Sequence, residues 1–244
     1  MVTDGLRKLW ALAFPEDAEF ADHFFSTAYH ADRCRYFHDG KKVTAALYWL
    51  DMEYAGQRYA YIYGVGTHPE CRGQGLCRML IEKTHRDLGA AGYAGSLLKP
   101  AGENLRRMYE KMGYSNCTNV DEISCHAGTE TTEVRAISIP EYAALRRTYL
   151  PEGGLAQEGE NLTYLATYAG LYAGEDFLLA AVHGEEKLFG AELLGNPNRA
   201  PEILKAMGYT EGVFRVPGEE IPFAMYRPIQ ENAPVPSYLG LAFD

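Results

Sequence analysis

The sequence predicts an α/β (α+β) fold, in which a mixed central sheet with flanking helices is followed by a smaller α/β half. Three observations support this prediction. Alternating apolar residues separated by turn residues predict an antiparallel meander in the first third of the chain. A glycine-bearing loop then opens a helix directly after a strand, and the strand beyond that helix must run parallel to its predecessor. Late in the chain, a helix ending in Met-Gly-Tyr resembles an earlier one.

Two helices and an antiparallel meander are predicted before the glycine loop. Pro15 separates two stretches with apolar residues at helical spacing, which favours a helix on either side of it. Asp39-Gly40 is a strong hairpin signal, and Gly56-Gln57 marks the next turn. The predicted elements are helices over 3–13 and 16–30 and strands over 35–38, 43–53 and 59–67.

The glycine loop, Arg72-Gly-Gln-Gly-Leu-Cys77, lies between the strand that ends at Thr67 and a helical pattern. A helix that begins directly after a strand directs unpaired N–H groups and the positive end of its dipole at an anion. Glycines 73 and 75 allow the backbone to approach such a ligand, and Arg72 adds a cation that can bind phosphate. Beyond the loop, the predicted elements are a helix from residue 76 to near residue 90, a strand over 93–98 and a helix over 103–112.

Two common phosphate-binding patterns do not fit this loop. The dinucleotide fingerprint G-x-G-x-x-G requires a third glycine where Arg78 stands. A P-loop requires Gly-Lys followed by Ser or Thr, which does not occur in the sequence. A third pattern, Arg/Gln-x-x-Gly-x-Gly/Ala, matches Arg72–Cys77 in all but the last place.

On this third pattern the sequence resembles the GNAT acyltransferases, which bind acetyl-CoA. Downstream, Asn104–Tyr114 resembles the family's helix N-x-x-x-x-(Y)-x-K-x-G-(F/Y). Two motifs about 30 residues apart are far more specific than either motif alone. The resemblance covers roughly residues 1–120 and implies a GNAT fold, in which the two parallel strands splay apart at a bulge and the pantetheine arm lies between them.

The resemblance also implies the cofactor-binding residues. The backbone of Val65, Gly66 and Thr67 is expected to pair with the pantetheine arm, and the glycine loop is expected to hold the pyrophosphate. Gly64 and Gly66 are expected to leave room near the acyl group. The implied acetyl-CoA residues are Val65, Gly66, Thr67, Arg72, Gly73, Gln74, Gly75, Leu76, Cys77 and Asn104.

Tyr109 is, by the same resemblance, the acid that protonates the leaving thiolate. The ordinary pKa of a phenol, about 10, is well matched to that of a thiol. Tyr61, Tyr63 and Glu53 are expected on the acceptor side, where aromatic rings suit an apolar or cationic group. No carboxylate lies on the corresponding face of the strand before the loop. The identity of the base is therefore open, and the alternatives are Asp51, Glu53, His68, the C-terminal carboxylate of Asp244 and a chain of water molecules.

Composition narrows the functional classes. The net charge of −10, without a basic stripe, argues against nucleic acid as a partner and suits a cationic substrate. Five cysteines, odd in number and without a Cys-x-x-Cys pair, predict free thiols in the cytoplasm and no metal site. No apolar run is long enough to cross a membrane. A monomer or homodimer is expected.

The predicted domains are residues 1–128, which bind acetyl-CoA, and residues 129–244, a degenerate GNAT-like half. Asn198–Tyr209 resembles Asn104–Tyr114, but no second glycine loop is present, so no second cofactor is expected. The elements predicted in this half are strands over 132–137, 176–183, 187–194 and 222–228 and helices from residue 140 and over 160–172.

Gly75–Arg78 is similar to the enhanced-intracellular-survival type of acetyltransferase. Those enzymes have a third domain, act on aminoglycosides and lysines, and use the C-terminal carboxylate as base. The length of this sequence accommodates their first two parts. The sequence thus predicts an N-acetyltransferase that moves an acetyl group to a primary amine of a small, cationic molecule by direct attack. The alternative is a non-catalytic sensor of acyl-CoA.

Overall fold

The computed structural model describes residues 2–15 and 18–243, without the side chains of residues 18 and 19. Within them the helices are α1 (Val2–Ala13), α2 (Ala18–Thr27), α3 (Leu76–Ala90), α4 (Glu103–Glu110), α5 (Ile139–Tyr149), α6 (Glu160–Leu165) and α7 (Ala200–Met207). The strands are β1 (Cys34–His38), β2 (Val43–Tyr54), β3 (Gln57–Thr67), β4 (Gly95–Leu98), β5 (Ser115–Asn116), β6 (Asn119–His126), β7 (Arg135–Ala136), β8 (Gly170–Ala173), β9 (Phe177–His183), β10 (Lys187–Gly195), β11 (Glu211–Pro217), β12 (Ile221–Pro222) and β13 (Met225–Pro228).

The chain divides into two compact units, Met1–Ser115 with Met225–Pro234 and Asn116–Ala224 with Val235–Asp244. This division differs from the boundary predicted after residue 128. Residues 116–128 fall in the second unit because β6 pairs antiparallel with β11 over seven residues. Residues 225–234 return to the first unit because β13 pairs with β4.

The first unit contains a six-stranded sheet in the order β1-β2-β3-β4-β13-β5. The predicted meander and the predicted parallel crossover through α3 are both confirmed: β1, β2 and β3 pair antiparallel, and β3 pairs parallel with β4. The prolines that bound the strand at 222–228 predict an edge position for it, and this prediction is wrong. β13 lies inside the sheet, between β4 and β5, a position that depends on a partner far away in sequence.

Both faces of this sheet are covered, because residues of β2 and β3 alternate between them. On one face Trp49 and Ile62 share a buried cluster with Leu80 and Ile81 of α3 and with Tyr109 of α4. On the other face Tyr48 and Tyr63 meet the aromatic side chains of α1 and α2; the Trp10 ring lies 5.7 and 5.8 Å from theirs. The helices that carry predicted cofactor residues, α3 and α4, are therefore anchored on one face of the sheet. Tyr63, which is expected on the acceptor side, is held by α1 and α2 on the other face.

A β-bulge interrupts β3 shortly before its end. The register shifts by one between the pairs Ala46–Gly66 and Tyr48–Tyr63, so two residues of β3, Gly64 and Val65, lie opposite one of β2. Gly64 has φ +57°, a conformation that favours glycine. Beyond the bulge β3 no longer pairs with β4, since their pairing covers only Tyr59–Tyr61 of β3. The parallel strands thus separate where the family resemblance predicted that they would.

The second unit contains a seven-stranded sheet in the order β12-β6-β11-β10-β9-β8-β7. The helix predicted over 160–172 is wrong in its second half: α6 ends at Leu165, and β8 pairs antiparallel with β9. β11 has no counterpart among the predicted strands.

The second unit repeats the topology of the first. The hairpin of β9 and β10 is followed by α7, and α7 leads to β11, which runs parallel to β10. β10 also has a bulge, at Ala191, and its pairing with β11 stops at Gly190. In this order α7 takes the place of α3. The similarity of Asn198–Tyr209 to the α4 segment therefore does not reflect structural equivalence, although the inference of a second, related half holds.

Candidate functional site

The glycine loop forms the N-terminus of α3. Gly73 and Gly75 have φ +77° and +75°, and Gly75 occupies the N-cap position without a side-chain cap. A Cβ at either position would meet nothing within 4 Å, so the loop borders open space. The first-turn N–H groups of any α-helix have no intrahelical acceptor. Loop and helix therefore present a row of backbone donors to a ligand that approaches from outside.

Basic side chains surround this loop although the chain as a whole is acidic. Arg72 is exposed and its Nε lies 3.4 Å from the carbonyl oxygen of Thr67. Arg78 of α3 donates to the carbonyl oxygen of Lys111 over 2.5 Å, which joins the beginning of α3 to the end of α4. The positive charge is thus concentrated where the helix dipole also favours an anion.

The end of β3 provides the second part of the site. Val65, Gly66 and Thr67 follow the bulge, in the stretch of β3 that does not pair with β4. On the other side this stretch pairs with β2, and the N–H of His68 donates to the carbonyl oxygen of Thr44 over 2.9 Å. The strand is held rigidly from one side, while its other side can accept an extended ligand as an additional strand.

Tyr109 lies close to the last residues of the glycine loop, Leu76 and Cys77. Tyr109 is 6% exposed and belongs to the buried cluster against which Leu76 and Cys77 pack. Its ring meets that of Tyr114 edge to face, with centroids 5.8 Å apart. Asn104 is exposed in the first turn of the same helix.

Burial alters the acid–base properties expected of Tyr109. Desolvation, followed by the nearby thiol of Cys77, raises the pKa of the phenol well above its usual value. The phenol is therefore protonated at neutral pH, as a donor must be. However, its pKa is not matched to that of a thiol in the free protein, contrary to the sequence-based expectation.

Tyr61 and Tyr63, the tyrosines expected on the acceptor side, lie on the face of β3 opposite to Tyr109. The Tyr61 and Tyr63 rings stack with centroids 6.3 Å apart; Tyr61 is buried and Tyr63 is half-buried. The room expected at Gly64 and Gly66 does not exist on this face. A Cβ at Gly64 would lie 2.8 Å from Trp10 Cζ3, and a Cβ at Gly66 would lie 3.1 Å from Ala13 Cβ, because α1 packs directly on the two glycines.

Glu53 does not join this group, which corrects its predicted place on the acceptor side. It pairs in register with Arg58 at the far end of the β2–β3 hairpin. Six residues of strand separate Arg58 from Gly64, or about 20 Å. A carboxylate at the hairpin tip cannot take a proton from an amine at the bulge.

The other candidate bases differ in their surroundings. The Asp51 carboxylate accepts the Tyr93 hydroxyl proton over 2.5 Å and lies 3.3 Å from Arg33, so it is engaged in a structural network. His68 lies directly after β3, and its Nδ1 accepts the N–H of Glu70 over 3.3 Å. Of the described candidates, His68 is the one beside the loop. Asp244 lies outside the described residues.

Sequence reasoning missed a buried polar triad beneath Tyr109. His85 Nε2 lies 2.7 Å from Ser96 Oγ and 3.0 Å from the Tyr114 hydroxyl, and the two hydroxyls are 2.8 Å apart. Burial lowers the pKa of His85 to about 4. The triad connects α3, β4 and the segment between α4 and β5. The signal available was a histidine on the apolar face of α3, four residues beyond Ile81.

Residues 2–15 and 18–243 bring together no group of three or more His, Cys, Asp or Glu side chains able to hold a metal ion. Among the helices of these residues, none combines the length and the apolar character needed to traverse a bilayer.

Residues 3–117 match the family model described as the acetyltransferase (GNAT) domain. No curated protein matches the sequence.

Solved structures share the fold over nearly the whole chain. A GCN5-related N-acetyltransferase from Anabaena variabilis has a TM-score of 0.72 at 17% identity, over 93% of this chain and 70% of its own. Eis1 from Mycobacterium abscessus has a TM-score of 0.65 at 12% identity, over 94% and 72%. A tandem GNAT protein from the clavulanic acid biosynthesis pathway has a TM-score of 0.58 at 12% identity, over 95% and 96%.

The predicted fold class is therefore confirmed, since the arrangement of two mixed sheets with flanking helices is common to this chain and these proteins. Residues 3–117 of this chain thus match the acetyltransferase (GNAT) domain family.

Proposed function

We propose that this protein is an acetyl-CoA-dependent N-acetyltransferase, which moves the acetyl group to a primary amine of a small, cationic molecule by direct attack in a ternary complex. The observation that carries the proposal is the continuity of three features. The open glycine loop, the unpaired side of β3 and Tyr109 follow one another around the N-terminus of α3. We place this activity in the cytoplasm, in a monomer or homodimer.

Acetyl-CoA fits these features by its chemistry. Its pyrophosphate is an anion for the backbone donors of residues 73–77 and the guanidinium of Arg72. Its pantetheine arm carries amide groups that can pair with Val65, Gly66 and Thr67, as a strand would. Asn104 is exposed at the start of α4 and is the remaining residue assigned to the cofactor.

Two groups of the chain would act on the reacting atoms. A backbone N–H near Val65 donates to the oxygen of the tetrahedral intermediate, where negative charge develops. Tyr109 donates its proton to the sulfur as the C–S bond breaks. Burial raises the pKa of the Tyr109 phenol. The phenol therefore gives up its proton only as negative charge develops on the departing sulfur.

The amine must lose a proton before it attacks, and two routes are consistent with the structure. His68 can take the proton directly, or a chain of water molecules can carry it to solvent. The stacked rings of Tyr61 and Tyr63 would form the wall for the acceptor, and the acidic character of the chain favours a cationic one.

A non-catalytic sensor of acyl-CoA is the alternative function. One observation favours it. The face of β3 on which the acceptor is expected carries Tyr61 and Tyr63, and it has no carboxylate among the described residues that could act as the base. A sensor would keep the cofactor loop without turnover.

Release of free thiol from acetyl-CoA in the presence of a panel of amines distinguishes the two functions. We expect at least one polyamine, amino sugar or lysine derivative to release thiol above the rate of hydrolysis, with the acetylated amine identified by mass spectrometry. Acetyl-CoA binding without turnover on any amine would support the sensor. Absence of binding would contradict both.

A further inference from the structure

A cavity lies at the end of β3 that is opposite to the glycine loop. It has a volume of about 530 Å³ and is lined by Glu53, Gly56, Gln57, Arg58, Gly92 and Gln230, all in the first unit. Small-molecule sites commonly measure about 300–1,000 Å³. Residues 58 and 64 are about 20 Å apart along the strand, so this cavity is separate from the acetyl-CoA site.

One side chain that lines the cavity, Arg58, is cationic. Its guanidinium is held in place, but its hydrogen-bond donors are unused. The Arg58 guanidinium lies over the Tyr93 ring, 4.1 Å from the centroid. The Tyr93 ring is itself fixed, because its hydroxyl accepts the Trp49 indole N–H and donates to Asp51. Among the residues that the structure describes, no carboxylate or carbonyl accepts a hydrogen bond from the Arg58 side chain.

Glu53 provides the opposite charge without neutralising Arg58. The two residues are directly opposite each other on β2 and β3, where an ion pair would ordinarily stabilise the hairpin. The Arg58 guanidinium instead stacks on Tyr93, and no described cation lies within ion-pair distance of the Glu53 carboxylate. A positive and a negative group thus remain available side by side.

Gln57 adds an unused acceptor. Its Oε1 is buried and has no hydrogen-bond partner among the described residues. A buried polar atom without a partner is destabilising, and a ligand N–H would remove that penalty. Gln230 is already oriented, because its Nε2 donates to the carbonyl oxygen of Gly92 over 3.0 Å.

We infer that this cavity binds a small zwitterion with the headgroup of an α-amino acid. The carboxylate pairs with the fork of the Arg58 guanidinium, and the ammonium group pairs with Glu53. Gln57 Oε1 accepts a further N–H of the ligand. Gly56 leaves open space at the hairpin tip, where a Cβ would meet nothing within 4 Å, so the side chain of an amino acid has room there.

Isothermal titration calorimetry of the full chain tests this inference without any measurement of turnover. The probes are glycine and L-glutamine, with glycinamide, which lacks the carboxylate, and N-acetylglycine, which lacks the ammonium group. We expect a zwitterion to bind, and both derivatives to bind at least about tenfold more weakly. If neither zwitterion binds, or if the derivatives bind equally well, the inference is wrong.

Two variants connect such binding to the cavity. Arg58→Gln and Glu53→Gln each remove one charge at an exposed position, and each is expected to weaken zwitterion binding by about 10- to 100-fold. Lys205→Gln, an exposed change in the second unit, is the control and should bind as wild type does. Acetyl-CoA affinity should be the same in all three variants. Unchanged zwitterion affinity in Arg58→Gln would place the ligand elsewhere.

Discussion

Tyr109 shows how a single residue combines two demands. Its ring completes the buried cluster between α3 and α4, and its hydroxyl is the proton donor assigned to the thiolate. Replacement by phenylalanine separates the two roles, since the ring stays and the proton is lost.

We expect Tyr109→Phe to bind acetyl-CoA about as well as wild type and to lose turnover by about 10²–10⁴-fold, the usual contribution of a positioned acid. Steady-state kinetics on an identified acceptor, with calorimetry for binding, measure both effects. Tyr36→Phe, a partly exposed tyrosine on β1, is the control. If Tyr109→Phe turns over at the wild-type rate, Tyr109 is a packing residue.

His85 gives a residue-scale prediction for stability. Its pKa falls from 6.5 to about 4 on folding, because burial disfavours the charged ring. The unfolded chain therefore binds a proton more readily, and the stability from a neutral His85 is present above pH 6.5 and is lost as the pH falls toward 4. The pKa difference corresponds to about 3 kcal/mol.

Urea unfolding at pH 7 and pH 4.5 measures this loss. We expect His85→Gln, which keeps a polar partner for Ser96, to be less stable at pH 7 but to lose less stability than wild type between the two pH values. An equal loss in the variant would show that other groups, such as the paired carboxylates, cause the pH dependence.

At the scale of the element, the glycine loop depends on two glycines with positive φ and on the space outside them. Glutamate at Gly75 would add strain of about 1–2 kcal/mol and place a negative charge where the pyrophosphate is expected. We therefore expect Gly75→Glu to fold and to lose measurable acetyl-CoA binding by calorimetry.

The control for this change is Gly40→Glu. Gly40 has φ +92° and open space around its Cβ position, but it lies in a hairpin without a helix N-terminus. It should show similar strain and normal binding. Normal affinity in a folded Gly75→Glu variant would refute the assignment of the loop.

Elements with local signals were predictable from sequence, and elements with distant partners were not. Pro15, Asp39-Gly40 and the glycine loop fixed the helices and strands of the first unit to within a few residues. β13 was placed at an edge because its partner, β4, is more than 100 residues away. The short apolar run at 166–172 fitted a helix and a strand equally well, and its antiparallel pairing with β9 decided the outcome.

The candidate site was predictable where a backbone conformation required particular residues. Gly73 and Gly75 have the positive φ that such a loop requires, and Tyr109 lies in the cluster against which Leu76 and Cys77 pack. Glu53 was misplaced because its distance from the bulge depends on hairpin register, and the closeness of α1 to Gly64 depends on tertiary packing. A sequence shows the charge and residue type of a possible base, but not where its side chain lies relative to the reacting atoms.

At the scale of the whole molecule, the two units share a topology but differ where the first carries its glycine loop. At the corresponding junction in the second unit, between β10 and α7, two residues bind Asp176, which directly precedes β9. Its carboxylate accepts from Asn196 Nδ2 over 2.8 Å and from Arg199 Nε over 3.0 Å, so the chain's own anion is bound there. The first turn of α7 contains Pro201, which lacks an N–H, and Glu202, which repels anions.

The second unit also closes the gap beyond its bulge. Arg215 of β11 donates to the carbonyl oxygen of Ala191 over 3.4 Å, across the strands that separate there. Nearby, the buried Glu192 carboxylate binds Arg146, Tyr142 and Tyr238, and the last of these fixes the segment after residue 235 to this unit. Side chains of the second unit thus occupy the positions that a ligand would take in the first.

We therefore predict that each chain binds one molecule of acetyl-CoA. Three features of the second unit oppose binding. Its own Asp176 carboxylate lies at the N-terminus of α7, Pro201 removes one N–H donor from the first turn, and the Arg215 guanidinium lies across the gap between the strands. Calorimetric titration should saturate at a molar ratio of one, and Gly75→Glu should remove all binding. Arg199→Gln, which removes the ion pairs of Arg199 with Asp176 and Glu202, should keep the ratio of one. A ratio of two in the wild type, or residual binding in Gly75→Glu at half the wild-type amplitude, would show that the second unit has kept a cofactor site.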